Sequence, residues 1–539
     1  MGCSCVEKQE MMNFSLEVSE KEKISLTPQP MSRNVKTKDS FPNPQSNISD
    51  LEEGSLKKHA DNIKLSYDKF IFEFKESPFV KYQILHHLNE SKKGNVLLIR
   101  DKEANYLKIM KELMLSKSVK TEDVLQEIEA LKKLDHPNII KLYEYIHWNK
   151  RSYLITEYCE HSELLEEIKV KKKGLSEIEI ASIIYQLLSA LSFCHEMKII
   201  HRDIRLKNIL IDGLDKNGIY KIKLIDFGLS RFLSTQSSND LESGFNTTNY
   251  YISPEMINGK YNEKCDIWAT GIILYFLLFD TYPFTGTSET HLFKSILEKD
   301  IYLGDIKWKK YSPEVIRLLK SLLVKDYNIR VSAQEALKSE WFTKMKIVEK
   351  TSMSNQHLKI FLDELKCYKP DYKLQQACLA IIVHNLPKTD KIHELEKAFK
   401  TIDINGDSKL SKQELYNQLK NNPETWKELK EIFTVIDADK NNYITYEEFV
   451  SGCIDKKAAL TDQNLLLAFR LFDSDHNGKI SLEEIRQVLL GGEINQNSEL
   501  VIMNIVKSID SDNDGFISFE EFAKMMKDLI ALNTKNKTI

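Results

Sequence analysis

His201-Arg-Asp-Ile-Arg-Leu-Lys-Asn208 and, eighteen residues further on, Asp226-Phe-Gly228 decide how this chain folds. Tyr250-Tyr-Ile-Ser-Pro-Glu255 and Asp266-Ile-Trp268 follow, and Gln126-Glu-Ile-Glu-Ala-Leu131 precedes them at helical spacing. Any one of these, Asp-Phe-Gly above all, also reads as a surface turn; the ordered set does not.

The chain has 539 residues, 42% hydrophobic and 29% charged, with a formal net charge of -4. That composition is globular, and the balance excludes a chain-wide nucleic-acid footprint. Eight scattered cysteines give no disulfide scaffold and no zinc spacing, which fits a reducing, cytoplasmic setting. The longest apolar run, Gly271 to Phe279, falls far short of the ~20 residues of a membrane span. Residues 1–75 are polar and rich in Ser, Asn, Lys and Pro, and read as a disordered leader. Residues 82–342 carry enough apolar periodicity for one large bilobed core. Residues 343–387 read as two amphipathic helices around Pro370, with Leu358, Phe361, Leu362 and Leu365 on the first and Leu374, Ala377, Cys378 and Ile381 on the second.

From Lys388 an acidic pattern occurs four times, at intervals of 34, 36 and 37 residues. Its loops contain Asp403, Asn405, Asp407, Lys409 and Glu414; Asp437, Asp439, Asn441, Tyr443 and Glu448; Asp473, Asp475, Asn477, Lys479 and Glu484; and Asp510, Asp512, Asp514, Phe516 and Glu521. Oxygens at alternate positions, a backbone carbonyl at position seven and a closing bidentate glutamate suit Ca²⁺. Ser411, Thr445, Ser481 and Ser518 stand at position nine, and Leu410, Ile444, Ile480 and Ile517 at position eight, where paired loops join by a short β-contact. These loops are similar to EF-hands, at 390–425, 426–459, 460–495 and 497–532. Position six wants a left-handed backbone; Gly478 and Gly515 comply, while Ser408 and Asn442 depart, with roughly 1 kcal/mol of strain expected at Ser408.

The block 82–342 resembles the protein-kinase family. The resemblance implies an α+β bilobed protein-kinase fold, followed by an all-α regulatory domain of two EF-hand pairs. It implies that Asp203 accepts the substrate hydroxyl proton, that Arg205 contacts the transferred phosphate, and that Asn208 and Asp226 hold Mg²⁺. Glu127 would pair with a strand lysine and Glu255 with Arg330. Counting fifteen from Val96 gives Lys111 as that lysine, with Lys108 the competitor. Leu88, Gly94, Val96, Lys111, Thr156, Glu157, Tyr158 and Glu163 would surround ATP, with Thr156 as gatekeeper and Glu157 and Tyr158 as the hinge. The phosphate loop, Leu88-Asn-Glu-Ser-Lys-Lys-Gly-Asn-Val96, keeps only Gly94 where three glycines are usual. Arg205 replaces the usual lysine, and Lys207 stands where basophilic kinases carry glutamate. Thr248, set to orient Asp203, favours Ser/Thr over Tyr substrates. Asp240 and Glu242 read more readily as a solvated acidic loop than as stand-ins for a phosphate facing Arg202.

A kinase block, two helices and four EF-hands, with Lys373-Leu-Gln-Gln-Ala-Cys-Leu379 at the junction, resembles the calcium-dependent protein kinases. This implies a Ca²⁺-activated Ser/Thr kinase using ATP and Mg²⁺ on protein substrates, monomeric, in which the junction helix blocks the substrate site until Ca²⁺ releases it. Gly2, Cys3 and Cys5 in Met1-Gly-Cys-Ser-Cys-Val6 resemble a myristoylation site with two palmitoylation sites, hence a lipid anchor at a membrane; Val6 departs from the usual Ser/Thr. Two alternatives stay open on sequence: a Ca²⁺-switched pseudokinase scaffold, suggested by the degraded phosphate loop, and a Ca²⁺-dependent binding module.

Overall fold

Runs of β-branched and aromatic residues between Phe72 and Glu157 form a mixed sheet. In the computed structural model, which describes residues 65, 67–91, 94–115, 121–171, 174–215, 218–232, 250–301, 309–347, 361, 364–365, 368, 370, 373–386, 390–404, 406–418, 433–490 and 496–536, this sheet has six strands. They are β1 (Phe72–Phe74), β2 (Tyr82–Ser91), β3 (Gly94–Asp101), β4 (Leu107–Met114), β5 (Leu142–Trp148) and β6 (Arg151–Glu157), in the spatial order β1-β5-β6-β4-β3-β2. Helix α1 (Thr121–Lys133) buries Val124, Ile128 and Leu131 together with the carboxylate of Glu127.

The large lobe is built on α2 (Glu177–Glu196) and α3 (Lys264–Phe279). A reciprocal capping box between Ser176 and Glu179 starts α2. Among the described residues α2 alone is long and apolar enough to cross a membrane by length and composition, and most of it is buried inside this lobe. Two short antiparallel pairs bracket the site. Strand β7 (Ile199–Ile200) leads into His201 and pairs with β10 (Arg231–Phe232), which follows Asp226-Phe-Gly228. Strands β8 (Ile209–Leu214) and β9 (Tyr220–Leu224) form a hairpin in which Ile209 faces Leu224. Asn208 and Asp226 are thereby delivered side by side from opposite ends of one hairpin.

The C-terminal region is helical apart from short loop contacts. It comprises α4 (Lys373–Asn385), α5 (Asp390–Ile402), α6 (Lys412–Gln418), α7 (Tyr446–Cys453), α8 (Asp462–Phe472), α9 (Leu482–Leu490), α10 (Gln496–Ile509) and α11 (Phe519–Asn536). The first two loops join by mutual backbone hydrogen bonds between Leu410 and Ile444 at 2.9 and 3.0 Å. The last two join through β11 (Lys479–Ile480) and β12 (Ile517–Ser518). The architecture is the α+β bilobed fold followed by an all-α region of paired EF-hands.

Two expectations change. The second junction helix, α4, is not amphipathic in its setting: Leu374 through Asn385 are all buried. It is enclosed by α7, α8 and α9, and its polar groups find internal partners, Gln375 at Met525 O (2.8 Å) and Gln376 at Val435 O (2.6 Å). Much of the first junction helix, Leu358 and Leu362 included, lies outside the described residues. The other change concerns the end of the 1–75 leader. Tyr67–Phe70 form a 3₁₀ turn and β1 follows at once, parallel to β5. Leu65 and Phe70 are buried in the EF-hand core, with Leu65 N–H donating to Ala438 O at 3.0 Å, while Ile71 enters the main core of the catalytic block. The apolar side chains of Phe70-Ile-Phe-Glu-Phe74 are what order this stretch.

Candidate active site and calcium loops

Asp203 sits at the end of the β7 turn with its carboxylate held on both oxygens. Arg205 Nε donates to Oδ1 at 2.7 Å, and Asn208 Nδ2 donates to Oδ2 at 2.9 Å and to the Asp203 carbonyl at 2.8 Å. The amide nitrogen of Asn208 is thus committed, which leaves its oxygen as the hard donor suited to a cation beside Asp226. His201 Nε2 contacts Ile225 O at 3.1 Å, and its ring lies 4.6 Å from that of the fully buried Phe227. Arg202 and Asp226 both adopt left-handed backbone conformations, φ 68° and 66°. Such strain persists only where the surroundings impose it. Here the buried Asp266 carboxylate accepts the backbone N–H groups of His201 and Arg202 at 3.0 and 2.9 Å, and His195 Nε2 lies 2.9 Å from it. The sequence marked Asp266 only as part of a motif; its task of pinning the turn needed the fold. Arg330 and Glu255 make a buried two-pronged ion pair at 2.6 and 2.9 Å.

On the nucleotide side, Lys111 in β4 donates to Glu127 Oε1 at 2.6 Å and to Asp226 Oδ1 at 2.9 Å. Burial opposes charge on Lys111, yet the two carboxylates raise its pKa. Lys111 in turn holds Asp226 down at about 2. Lys108 projects from the other face of β4. It is buried near Asp101 and stacked over Tyr143, with its pKa lowered by burial to about 8. Val96 pairs with Lys111, Thr156 with Ile109 and Glu157 with Lys108, so Val96, Lys111, Thr156 and Glu157 share one stretch of sheet. Leu88 is exposed in β2, and Glu163 bridges to Leu210 of β8. Gly94 (φ 151°) serves a nearer need than phosphate approach alone: a Cβ there would lie 1.8 Å from the Glu112 carbonyl oxygen. Thr248, Asp240, Glu242, Asn405, Gly2, Cys3 and Cys5 lie outside the described residues.

The calcium loops share one backbone. Ser408, Asn442, Gly478 and Gly515 at position six are all left-handed, with φ between 61° and 87°. So are Gly406, Lys440, His476 and Asn513 at position four, a second strained position that sequence reading passed over. The signal was the glycine of the first loop, displaced from position six to position four. The first carboxylate of each loop accepts backbone N–H groups, as Asp403 does from Gly406 and Ser408 at 2.8 Å each. Three carboxylates offer oxygens within 4.8 Å of one another in each of the last three loops: Asp437, Asp439 and Glu448; Asp473, Asp475 and Glu484; Asp510, Asp512 and Asp514. Burial and mutual repulsion push Asp403 up to about 7 and Glu448 up to about 8. Crowded hard oxygens of this kind fit a divalent cation with a flexible oxygen shell.

Fold and site together define a protein kinase fused to two EF-hand pairs. A protein kinase domain family matches residues 82–342, and an EF-hand domain pair family matches 393–454 and 462–527. Similar proteins include calcium-dependent protein kinase 4 of Plasmodium berghei (strain Anka), 34% identical over 488 residues, covering 87% of this chain and 91% of that one. Calcium-dependent protein kinase 4 of Plasmodium falciparum (isolate 3D7) is 35% identical over 463 residues, covering 83% and 86%. Calcium-dependent protein kinase 5 of the same isolate is 33% identical over 447 residues, covering 82% and 77%. The chain belongs to the calcium-dependent protein kinase family.

Proposed function

We propose that this calcium-activated Ser/Thr kinase transfers the ATP γ-phosphoryl group with Asp203 as proton acceptor, and that the observation carrying the reading is Lys111 held between Glu127 and Asp226. Asp203 takes the proton of a protein Ser or Thr hydroxyl, while Arg205 and Asn208 fix the direction of its carboxylate. Lys111 draws the nucleotide phosphates into line, and Glu127 keeps the lysine in place. Asn208 and Asp226 would hold Mg²⁺, which when bound neutralises charge on the phosphates. Leu88, Gly94, Val96, Thr156, Glu157, Tyr158 and Glu163 surround ATP, and Thr248 steadies Asp203.

The four loops bind Ca²⁺, and α4, enclosed by the EF-hand helices, is the junction element kept away from the catalytic cleft when they are loaded. Acylation of Gly2, Cys3 and Cys5 would place the enzyme at a membrane surface, two or more chains being needed for stable anchoring. The test is transfer of labelled phosphate to a Ser/Thr substrate mixture with Ca²⁺ or chelator, beside Asp203→Ala. Transfer that needs both Ca²⁺ and Asp203 is expected. Transfer by the Asp203→Ala protein would overturn the assignment.

A further inference from the structure

Glu447 is the neighbour of the calcium ligand Glu448 and occupies a position that supplies no ligand, yet it is 2% exposed. It points away from its own loop and into the kinase. Its backbone N–H donates to Asp135 Oδ2 at 3.0 Å. Its Oε1 pairs with Lys141 Nζ and lies 2.8 Å from His384 Nδ1, and the other ring nitrogen of His384 is 3.0 Å from Leu142 O. Lys141 leads directly to the hinge. Its backbone N–H donates to Glu157 Oε1 at 2.8 Å, and Glu157 N–H donates to Lys141 O at 3.0 Å. Lys223, three residues before Asp226, places its Nζ 2.8 Å from the same Glu157 oxygen and donates to Ile139 O at 3.1 Å. Asp135, Lys141, Glu157, Lys223, His384 and Glu447 line a cavity of about 80 Å³. That is room for several waters at roughly 10–15 Å³ each.

We propose that Glu447 is a positioning residue for the kinase reaction, tying the second calcium loop through Lys141 to Glu157 and so fixing the adenine edge of the cleft. The proposal rests on the reading of the chain as a calcium-activated kinase. Thr445, Glu447 and Glu448 share the first turn of α7, where the Thr445 side chain and Glu448 cap the helix reciprocally. A shift of Glu448 toward a cation therefore carries Glu447 with it, and Glu447 is fastened to three partners outside its helix. Coupling of this kind is reciprocal: if Ca²⁺ in the second loop favours the nucleotide-ready hinge, nucleotide must tighten Ca²⁺ there.

The experiment uses the full chain with Tyr443→Trp as a fluorescence reporter in the second loop, titrated with Ca²⁺ with and without a non-hydrolysable ATP analogue and Mg²⁺. The analogue should lower half-saturating Ca²⁺ by about fivefold. Glu447→Gln should abolish that shift while still binding Ca²⁺. At saturating Ca²⁺, in the chain without the reporter, it should raise KM for ATP by about fivefold with kcat within twofold. Lys141→Met, which removes the same ion pair from the kinase side, must show both effects. Retention of the shift and of the wild-type KM in either variant overturns the proposal. Wild-type activity that ignores Ca²⁺ would instead sink the underlying reading.

Discussion

Two lysines three residues apart on one strand have opposite fates, because successive side chains on a strand point to opposite faces. Lys111 reaches the cleft, whereas Lys108 is buried among Tyr82, Tyr143 and Asp101. We predict that Lys111→Met lowers kcat/KM by about a hundredfold or more, the cost of losing a preorganised charge, and leaves Ca²⁺ binding intact. Lys108→Met should lower the melting temperature, since Asp101 loses its buried cation, and leave the chemistry within a few-fold. Steady-state rates and thermal unfolding of the two variants separate these roles. The pH dependence follows from Asp226. Its carboxyl is depressed to about 2, so its contribution to stability is present above pH ~4 and lost as pH falls toward 2. With its side chain 46% exposed, solvent screens that contribution to a small one.

The four calcium loops share a backbone but differ in surroundings. A Cβ on Gly406 would lie 3.1 Å from the Tyr185 hydroxyl of α2, whereas nothing stands within 4 Å of one on Gly478. Both glycines are left-handed, so alanine costs each about 1–2 kcal/mol of backbone strain. We predict that Gly406→Ala depresses the melting temperature further than Gly478→Ala, because it also presses the first loop off α2. Equal shifts would mean that the loop rests loosely on the kinase. Charge divides the loops as well. Burial and crowded carboxylates push Asp403 to about 7 and Glu448 to about 8. Glu521 is held at about 2 and Glu484 is also lowered: burial opposes both shifts, and hydrogen bonds from Ser518 and Ser511, and from Ser481 and Ser474, outweigh it. Ca²⁺ takes the ionised form, so at neutral pH the first two loops should release up to about two protons on binding and the last two almost none, with release fading as pH rises past 8. Calorimetry in two buffers of different ionisation enthalpy measures this directly. Proton release that does not change between pH 6.5 and 9 would contradict it.

At the scale of the molecule, what could be read from sequence was what local chemistry fixes. Asp203, Asn208, Asp226 and the loop carboxylates stand in ordered motifs that resemble known families, so the sequence brings them forward as candidates. Glu447 obeys no such rule: it fills the gap between Tyr446 and Glu448, and its partner Asp135 is 312 residues away. Helix α4 misled for a related reason, since its glutamines look like a wet face until both EF-hand pairs close over them, the first at Gln376 and the second at Gln375. The stretch 65–74 was lost in a polar leader because composition averages over it. Its placement has a mechanical consequence. Leu65 and Phe70 belong to the EF-hand core, while Phe72–Phe74 hydrogen-bond along β5 at the edge of the kinase sheet. One short segment therefore clasps the two regions, beside side-chain contacts such as Tyr106 Oη to Asn464 Oδ1 at 3.1 Å and Lys409 Nζ to Glu196 Oε1 at 2.7 Å. Both are single part-buried polar contacts, each worth about 0.5–1.5 kcal/mol, or up to about 3 kcal/mol where a charge takes part, whereas truncating a buried phenylalanine costs about 3–5 kcal/mol. Phe70 is 1% exposed, so the clasp adds substantially to a docking that the Glu447 contacts also hold. Removing residues 1–64 should therefore leave the melting temperature and the half-maximal Ca²⁺ unchanged. Removing residues 1–74, or changing Phe70→Ala in the full chain, should lower the melting temperature and raise the Ca²⁺ needed for half-maximal activity, because the EF-hand region must dock without its tether. If the two truncations behave alike, the segment is packing without leverage, and the polar contacts carry the docking alone.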